Sequence, residues 1–497
     1  MTSVALHFET HVREVPDARC LSPASRQSLS RSDVFEKAQQ IARRLAGAGA
    51  HPGERVTVIA EKSPEAFLTY LACNLAGYVY HPANIGYTDA EVSFLVSDAA
   101  PAVIVCDPAR RAAFSEMTDG AVLTLDRDGA GSLMSVPEVD LAPYTAQSDD
   151  WAALLYTSGT TGKPKGAMLS QGNLLSNALT LVETWQFVPE DRLLHMLPIF
   201  HAHGLFVAGN TAFCAGAEIL FESAFSPDRF FARLSEATSF MAVPTIYGRL
   251  LADDRLKREI AGHMRLFTSG SAPLDAVAHQ AFEARTGQRI LERYGMTETL
   301  MLTSNPYDGE RRPGTVGPPL PGISLGIRKS DGDLAQPGEI GIVEVRGPNV
   351  CSGYFNLPDK TAEAFTEDGF LITGDIGVQD GAGYVTLQGR QSDMIISGGY
   401  NVYPREVENV LLDLEGVVEA AVFGVPHPDF GEGVVAVIVA AHDGPDEADL
   451  TEQARTQIAA YKCPKRILRV DALPKNAMGK VDREQLKAGH AGLFSGA

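Results

Sequence analysis

TSGTTGKPKG, Thr157 to Gly166, is the stretch on which the reading of this chain turns. It follows WAALLY (151–156), an apolar run with strand character, and Ser170 beyond it suits the N-cap of a following helix. Gly159, Gly162 and Gly166 let the backbone come close to an anion. Backbone N–H groups and the hydroxyls of Thr157, Ser158, Thr160 and Thr161 can donate to phosphate oxygens, and Lys163 and Lys165 add positive charge. The spacing is not G-x-x-x-x-G-K-[ST], which excludes a Walker-type loop. Most Gly/Thr-rich stretches are plain surface loops, but hydroxyls and two lysines at the end of a buried strand favour a phosphate cradle.

Outward from this loop the pattern is layered. On the N-terminal side Phe35, Ala38, Ile41, Ala42 and Leu45 recur at helical spacing before Gly47 and Gly49. RVTVIAE (55–61) reads as a strand, SPEAFLTYLACNLAG (63–77) as a helix and PAVIVCD (101–107) as a strand, with 108–148 less regular. Such alternation predicts α/β layers with largely parallel sheets. Between about 305 and 390, frequent Gly and Pro separate short β-type runs such as EIGIVEVRG, which predicts a β-rich subdomain. From 394 the order is strand, helix, a strand pair joined by PHPDFGEG, and a charged helix at 447–460, enough for a small α+β domain. The expected class is α/β: a large N-terminal domain, 1–391, of layered α/β subdomains plus a β-rich one, and a small C-terminal α+β domain, 392–497.

Composition narrows the function. At roughly 150 residues per domain, 497 residues allow about three domains, or two with one of them large. A net charge of −20 argues against general nucleic-acid binding, which needs a basic footprint. The six cysteines form no C-x-x-C pair, which suits a reducing cytosol and predicts a cytoplasmic protein. The opening MTSVALHFETHVREVPDARC lacks a signal-peptide core, and VVAVIVAA (434–441) falls short of the ~20 residues that span a bilayer.

Further elements follow the glycine loop in a fixed order. RYGMTET (293–299) sets the Thr297 hydroxyl beside the Glu298 carboxylate, a pair able to hold a phosphate oxygen and a Mg²⁺ ion. TGD (373–375) ends a strand-like run with Asp375, which can accept from two ribose hydroxyls. GRQSDMIISGGYNVYPREVE (389–408) supplies Arg390, and PKNAMGK (474–480) supplies Lys480. Singly, each has an ordinary structural role; the ordered set is what carries weight.

The set resembles the adenylate-forming superfamily of acyl-CoA synthetases, peptide-synthetase adenylation domains and luciferases, over nearly the whole chain. The resemblance implies a mobile C-terminal domain and two half-reactions. A carboxylate attacks the α-phosphate of Mg·ATP, giving acyl-adenylate and pyrophosphate; a thiol then displaces AMP. It also implies roles. The 157–166 loop cradles the pyrophosphate, Thr297 holds the α-phosphate and Glu298 the Mg²⁺. Asp375 binds the ribose hydroxyls, with Arg390 near the same sugar. Gly270, Ser271, Ala272 and Pro273 form the wall under adenine near Tyr294 and Gly295, and Lys480 bridges acyl and phosphate oxygens during adenylation. Lys480 would also suit a lysine acetyltransferase and deacetylase pair, since acetylation removes its charge. Ser397, Gly398, Gly399 and Tyr400 resemble the segment lining the pantetheine tunnel, which makes CoA the expected thiol. Relatives commonly carry Asp or Lys two residues after the arginine of Gly-Arg; here the hinge position is Ser392.

The acid is a finer question. LPIFHAHGL (197–205) places His201 and His203 where related enzymes line the acyl channel; no third ligand completes a metal site, and His201 is the expected catalytic one. HMRLFTSGSAPL (263–274), ERYGMTET, 303–322, 347–361 and GYNVYPREVE together are similar to malonyl-CoA synthetases. In that reading Arg265, just before the strand leading to the nucleotide wall, presents a bidentate fork to the free carboxylate of malonate, with methylmalonate as a second candidate acid. The alternatives are a surface Arg265 with the carboxylate held near His201 or Thr245, a synthetase for another short, medium-chain or aryl acid, a carrier-protein loader, and a nucleotide-binding protein without catalysis.

Overall fold

The computed structural model describes residues 1–157, 164–441, 446–475 and 480–494. By packing, the chain falls into two compact units: Met1–Leu325 with Val345–Leu371, and Gly326–Glu344 with Ile372–Ala497.

The first unit is built on two sheets. One has six strands in the order Ala121–Thr124, Val103–Cys106, Arg55–Ile59, Val79–Pro82, Trp151–Thr157, Lys165–Ser170, all parallel except the last pair. The other has eight, in the order Leu300–Ser304, Leu291–Met296, Leu266–Ser269, Ser239–Ala242, Arg192–His195, Glu218–Phe221, Arg19–Pro23, Leu29–Ser30, with antiparallel pairs only at its two ends. The layers expected from the alternating pattern are present, and local chemistry explains their boundaries. Helix Arg31–Gly47 begins at a capping box: the Asp33 amide donates to Ser30 Oγ at 3.1 Å and the Ser30 amide to Asp33 Oδ2 at 2.9 Å. Its buried face is Val34, Ala38, Ile41, Ala42 and Leu45. Helix Pro64–Ala76 has Pro in its first turn and stops at Gly77, whose φ of 74° is the left-handed cap that glycine adopts without strain.

The strands on either side of the glycine loop pair with each other. Trp151–Thr157 pairs antiparallel with Lys165–Ser170, matching Tyr156 to Gly166 and Thr157 to Lys165. The return strand KGAMLS has no alternating pattern of its own and is defined by that pairing. Ser170 caps helix Gln171–Thr184, as expected.

The second unit contains most of a four-stranded sheet, Ser324–Arg328, Ile340–Arg346, Leu371–Gln379, Val385–Arg390, in which Asp375 faces Arg390 across the last antiparallel pair. It also contains the C-terminal α+β fold. Strands Val417–His427 and Gly431–Ala440 pair antiparallel through the short turn expected from PHPDFGEG, flanked by helices Pro404–Leu412 and Glu447–Gln457. Packing thus groups the four-stranded sheet with the C-terminal fold, whereas the sequence reading cuts the chain between 391 and 392. Among the described residues no helix is long and apolar enough to cross a membrane.

Candidate active site

In the first unit the strands Leu266–Ser269 and Leu291–Met296 run parallel, with Ser269 opposite Glu292. That register brings Gly270, just past the end of one strand, against Arg293 of the other. A Cβ at position 270 would lie 2.1 Å from Arg293 Nη1, so only glycine admits the guanidinium. Ser271 follows at a φ of +69°, a left-handed conformation that L residues other than Asn and Asp avoid. Its Oγ lies 3.1 Å from His203 Nδ1. The wall expected from SGSAP is therefore a strained turn packed on one side by an arginine and contacted by a histidine. Tyr294 is buried beside it, and Thr297 sits half-buried in the turn between Leu291–Met296 and Leu300–Ser304.

Arg293 is the residue that sequence reasoning passed over. It is 3% exposed, and among the described residues its Nε and Nη2 have no hydrogen-bond partner. Burial pushes its pKa down to about 9, with Tyr247 opposing. His203 is buried too, with Nε2 unpartnered, and burial and then Arg293 hold its pKa well below the usual histidine value, so the ring is neutral. The buried Ser269 Oγ is also without a partner. Unpaired buried donors are costly, and a cluster of them on neighbouring residues is what a site built for a polar ligand looks like without that ligand. The available signal was an arginine inside LERYGM, a strand whose first four residues are all buried. Of the two histidines, His203 meets the wall; His201 Nδ1 accepts from the His203 amide at 3.4 Å, at the start of the π-helix His203–Asn210.

Arg265 does not do what its position suggested. Its Nε and Nη2 donate to Asp191 Oδ1 and Oδ2 at 2.6 and 2.5 Å, and its Nη1 to the Trp185 carbonyl at 2.9 Å. The guanidinium also lies against the Phe187 and Tyr307 rings, at 4.9 and 5.2 Å. Its fork is thus already filled by a carboxylate that is 2% exposed. It also stands at the opposite end of its strand from the wall, about 16 Å away at ~3.3 Å per residue. The expectation that Arg265 holds the substrate carboxylate is therefore set aside on geometry.

The Glu298 carboxylate, 5% exposed, accepts from the Tyr354 hydroxyl at 3.0 Å, and the Glu298 carbonyl accepts from the Cys351 amide at 2.7 Å. Lys165 Nζ lies 5.0 Å from the Tyr354 ring centroid. Segment 351–355 also hydrogen-bonds the Lys165–Ser170 strand, through Phe355 N to Gly166 O and Met168 N to Gly353 O. It thereby ties the glycine hairpin to Glu298, a role for Tyr354 that the sequence did not reveal. Ser158, Gly159, Thr160, Thr161, Gly162 and Lys163 lie outside the described residues.

In the second unit Arg390 Nε pairs with Asp375 Oδ1 at 2.9 Å, and the Asp375 amide donates to Thr373 Oγ1 at 3.0 Å. Lys480 belongs to the same cluster. Its side chain keeps an exposed face, yet surrounding protein and then the Arg390 charge push its ammonium below the usual lysine value, with Asp375 opposing. Ser392 lies in the short 3₁₀ turn Gln391–Asp393. Ser397–Tyr400 forms a two-residue hairpin turn with Gly398 and Gly399 at φ of 61° and 81°, which is why two glycines stand there. Tyr400 projects outward, 60% exposed, and packs on Tyr461 at 4.7 Å.

Comparison with known proteins shows the family and the fold. The family model "AMP-binding enzyme" matches residues 8–355 and its C-terminal-domain counterpart residues 406–480. The sulfoacetate–CoA ligase of Cupriavidus necator is 35% identical, over 94% of this chain and 93% of that protein. The malonate–CoA ligase of Arabidopsis thaliana is 33% identical, over 90% and 80%. The crystal structure of ATP-bound MatB from Rhodopseudomonas palustris superposes with a TM-score of 0.95 at 45% identity, covering 99% of each chain. The Bacillus subtilis o-succinylbenzoate–CoA synthetase bound to its acyl-adenylate gives 0.86 at 29% identity, covering 97% of each. By its sequence and its fold, the chain belongs to the AMP-binding, adenylate-forming enzymes and is an AMP-forming acyl-CoA ligase.

Proposed function

We propose that the acid is malonate, activated by ATP to malonyl-adenylate and transferred to CoA, giving malonyl-CoA, AMP and pyrophosphate. The observation that carries this reading is Arg293: a buried guanidinium with two unpartnered donors, beside the Ser271 wall and the neutral His203. A short acid with one carboxylate turned toward ATP leaves its second carboxylate at this depth, where it needs a cation and gives Arg293 the partner it lacks.

The remaining roles follow the same logic. The 157–166 hairpin loop receives the pyrophosphate, Thr297 the α-phosphate and Gly270–Pro273 with Tyr294 the adenine. Glu298 fits a Mg²⁺ ligand: a hard carboxylate, nearly buried and oriented by Tyr354, in a site where Mg²⁺ takes one or two carboxylates and completes its shell from phosphates and water. An Mg²⁺ ion held by Glu298 would supply positive charge against the phosphate oxygens. In the second unit Asp375 and Arg390 take the ribose and Lys480 neutralises charge at the reacting phosphate; fixed cations of this kind do most of the work in phosphoryl transfer. Residues 392–497 act as the moving body, and the Ser397–Tyr400 turn meets the pantetheine of CoA.

The test is a panel of acids with ATP, Mg²⁺ and CoA, following acyl-CoA directly. A site built around a charged partner rejects analogues that lack it, so kcat/KM for malonate should exceed that for propionate by about 10³ or more. Sulfoacetate belongs in the panel because a sulfonate is an equally good partner for the guanidinium. Preference for propionate, a medium-chain acid or an aryl acid would replace this reading with the broader acyl-CoA synthetase alternative.

A further inference from the structure

A second cavity in the first unit, of about 420 Å³, has no part in the chemistry above. It lies past the carboxyl ends of the strands Arg19–Pro23, Arg55–Ile59 and Glu218–Phe221, the edge of an open α/β sheet where ligands are usually held. Five cations line it, Arg26, Lys62, Arg127, Arg229 and Arg233, against the two acids Asp128 and Glu222, in a chain whose net charge is −20. Two of the five are spent on carboxylates: Arg26 on Glu65 at 2.9 Å, and Arg233 on Glu222 and Glu236 at 3.2 and 2.8 Å. Three are not. Among the described residues Arg229 donates only to the Ser223 hydroxyl, at 2.6 Å, and Arg127 stands 4.0 Å from Asp128 with most of its side chain in solvent. Lys62 Nζ lies 4.5 Å from the Phe221 ring centroid and donates to His195 Nδ1 at 2.8 Å and His195 O at 3.0 Å, which leaves one of its three N–H groups over.

The other end of His195 leads to the active site. The Gly204 carbonyl can only accept, so His195 Nε2, 2.8 Å away, carries the proton, and Nδ1 is the bare nitrogen that accepts from Lys62. Gly204 adjoins His203, whose ring contacts Ser271 and whose neighbour in charge is Arg293. Lys62, His195, Gly204, His203 and Ser271 therefore form one connected chain from the cavity to the nucleotide wall.

We propose that this cavity binds a phosphate group, free or carried on a small organic molecule, on Lys62, Arg127 and Arg229, and that the Lys62–His195–Gly204 contacts transmit its occupancy to the acid end of the active site. Two arginine forks and an ammonium suit a tetrahedral dianion, and the cavity's open side admits an attached organic group. Burial pushes Lys62 well below its ordinary value and Glu222 opposes that only in part, so a bound dianion adds to the negative charge that keeps the ammonium protonated.

The test uses the full chain with Mg²⁺ and a saturating non-hydrolysable ATP analogue, so that the nucleotide's own phosphate sites are filled. Inorganic phosphate, and separately glycerol 3-phosphate, are titrated calorimetrically at constant ionic strength. One site is expected, weakened by about 10-fold or more in the surface double variant Arg127→Ser/Arg229→Ser. Tighter binding of the ester than of phosphate identifies an organic phosphate as the ligand; the reverse identifies the free ion. Occupancy should shift KM for the acid by about 3-fold or more in the wild type, and by nothing in the double variant or in Lys62→Met. No binding of either probe, or binding that the double variant leaves intact, overturns the site. Binding without any shift in KM overturns the coupling.

Discussion

Replacing Arg293 by methionine tests the substrate assignment and the electrostatics together. Methionine keeps most of the side chain's reach and removes the charge and every donor. Removing one partner of a buried, hydrogen-bonded charge pair costs about 2–5 kcal/mol. At ~1.4 kcal/mol per decade, kcat/KM for malonate should fall by roughly 30- to 5,000-fold. Propionate, with no second carboxylate, should hold steady or improve. The stability of the ligand-free protein should move the other way. Nε and Nη2 have no partner and Arg293 is 3% exposed. Each unsatisfied buried donor costs on the order of 1–3 kcal/mol. Arg293→Met should therefore raise Tm by roughly 2 °C or more. Pyrophosphate release with the two acids gives the first readout and thermal unfolding without ligands the second. Malonate activity within about 3-fold of wild type, or a parallel loss with propionate, refutes the carboxylate role; a clear drop in Tm refutes the claim that the guanidinium is unpaired.

Lys480→Ala should lose adenylation by about 10²–10³ yet still make thioester from premade malonyl-adenylate and CoA, and equal loss of both steps would remove it from the first half-reaction. Ser392→Pro fixes φ near −65°, so one half-reaction should survive far better than the other; two unchanged rates place the hinge elsewhere. Tyr354→Phe removes the 3.0 Å bond that orients Glu298 and should raise the Mg²⁺ concentration for half-maximal rate by several-fold at unchanged KM for malonate; an unchanged Mg²⁺ dependence counts against Glu298 as the ligand. Arg265→Met should instead destabilise the fold by about 3–5 kcal/mol with no change in acid preference, because it strands Asp191. Burial alone would raise the Asp191 pKa, but the Arg265 and Thr238 hydrogen bonds bring it below the usual value, so its contribution is present above the unfolded carboxylate pKa and lost as pH falls through the folded one. In the variant the buried carboxyl titrates upward, so the gap to wild type in denaturant midpoint should be widest near pH 7–8 and narrow toward pH 5.

Much of this fold was legible because it is written in local chemistry. Hydrophobic spacing from Phe35 to Leu45 marked the helix at 31–47, and the helix at 64–76 stops where Gly77 allows a left-handed cap. What stayed hidden depends on partners far away in the chain. The strand Lys165–Ser170 exists because Trp151–Thr157 is there to pair with it, and the return of 345–371 to the first unit is a matter of packing. Tyr354 reads as one aromatic among several until its hydroxyl is found on Glu298, 56 residues away.

Arg265 and Arg293 show why the site itself was only half legible. Arg265 precedes one of two adjacent parallel strands and Arg293 lies within the other, and in sequence Arg265 looks the better candidate, placed just ahead of SGSAP. A parallel strand has two chemically different ends, though, and ligands gather at the carboxyl end. Arg265 stands at the amino end, where Asp191, from the loop before another strand of the same sheet, meets it with a matching fork. Arg293 stands level with Gly270, at the carboxyl end, and among the described residues no acid meets it there. The decisive quantity is whether the charge is already spent, and that depends on a residue 74 positions from one arginine and on the lack of any such residue for the other. A guanidinium paired by its own protein holds the fold together. One left unpaired at the carboxyl edge of the sheet makes the free protein less stable, and that cost is recovered only when an anion of the right length arrives, which is how a buried cation becomes a test for a second carboxylate.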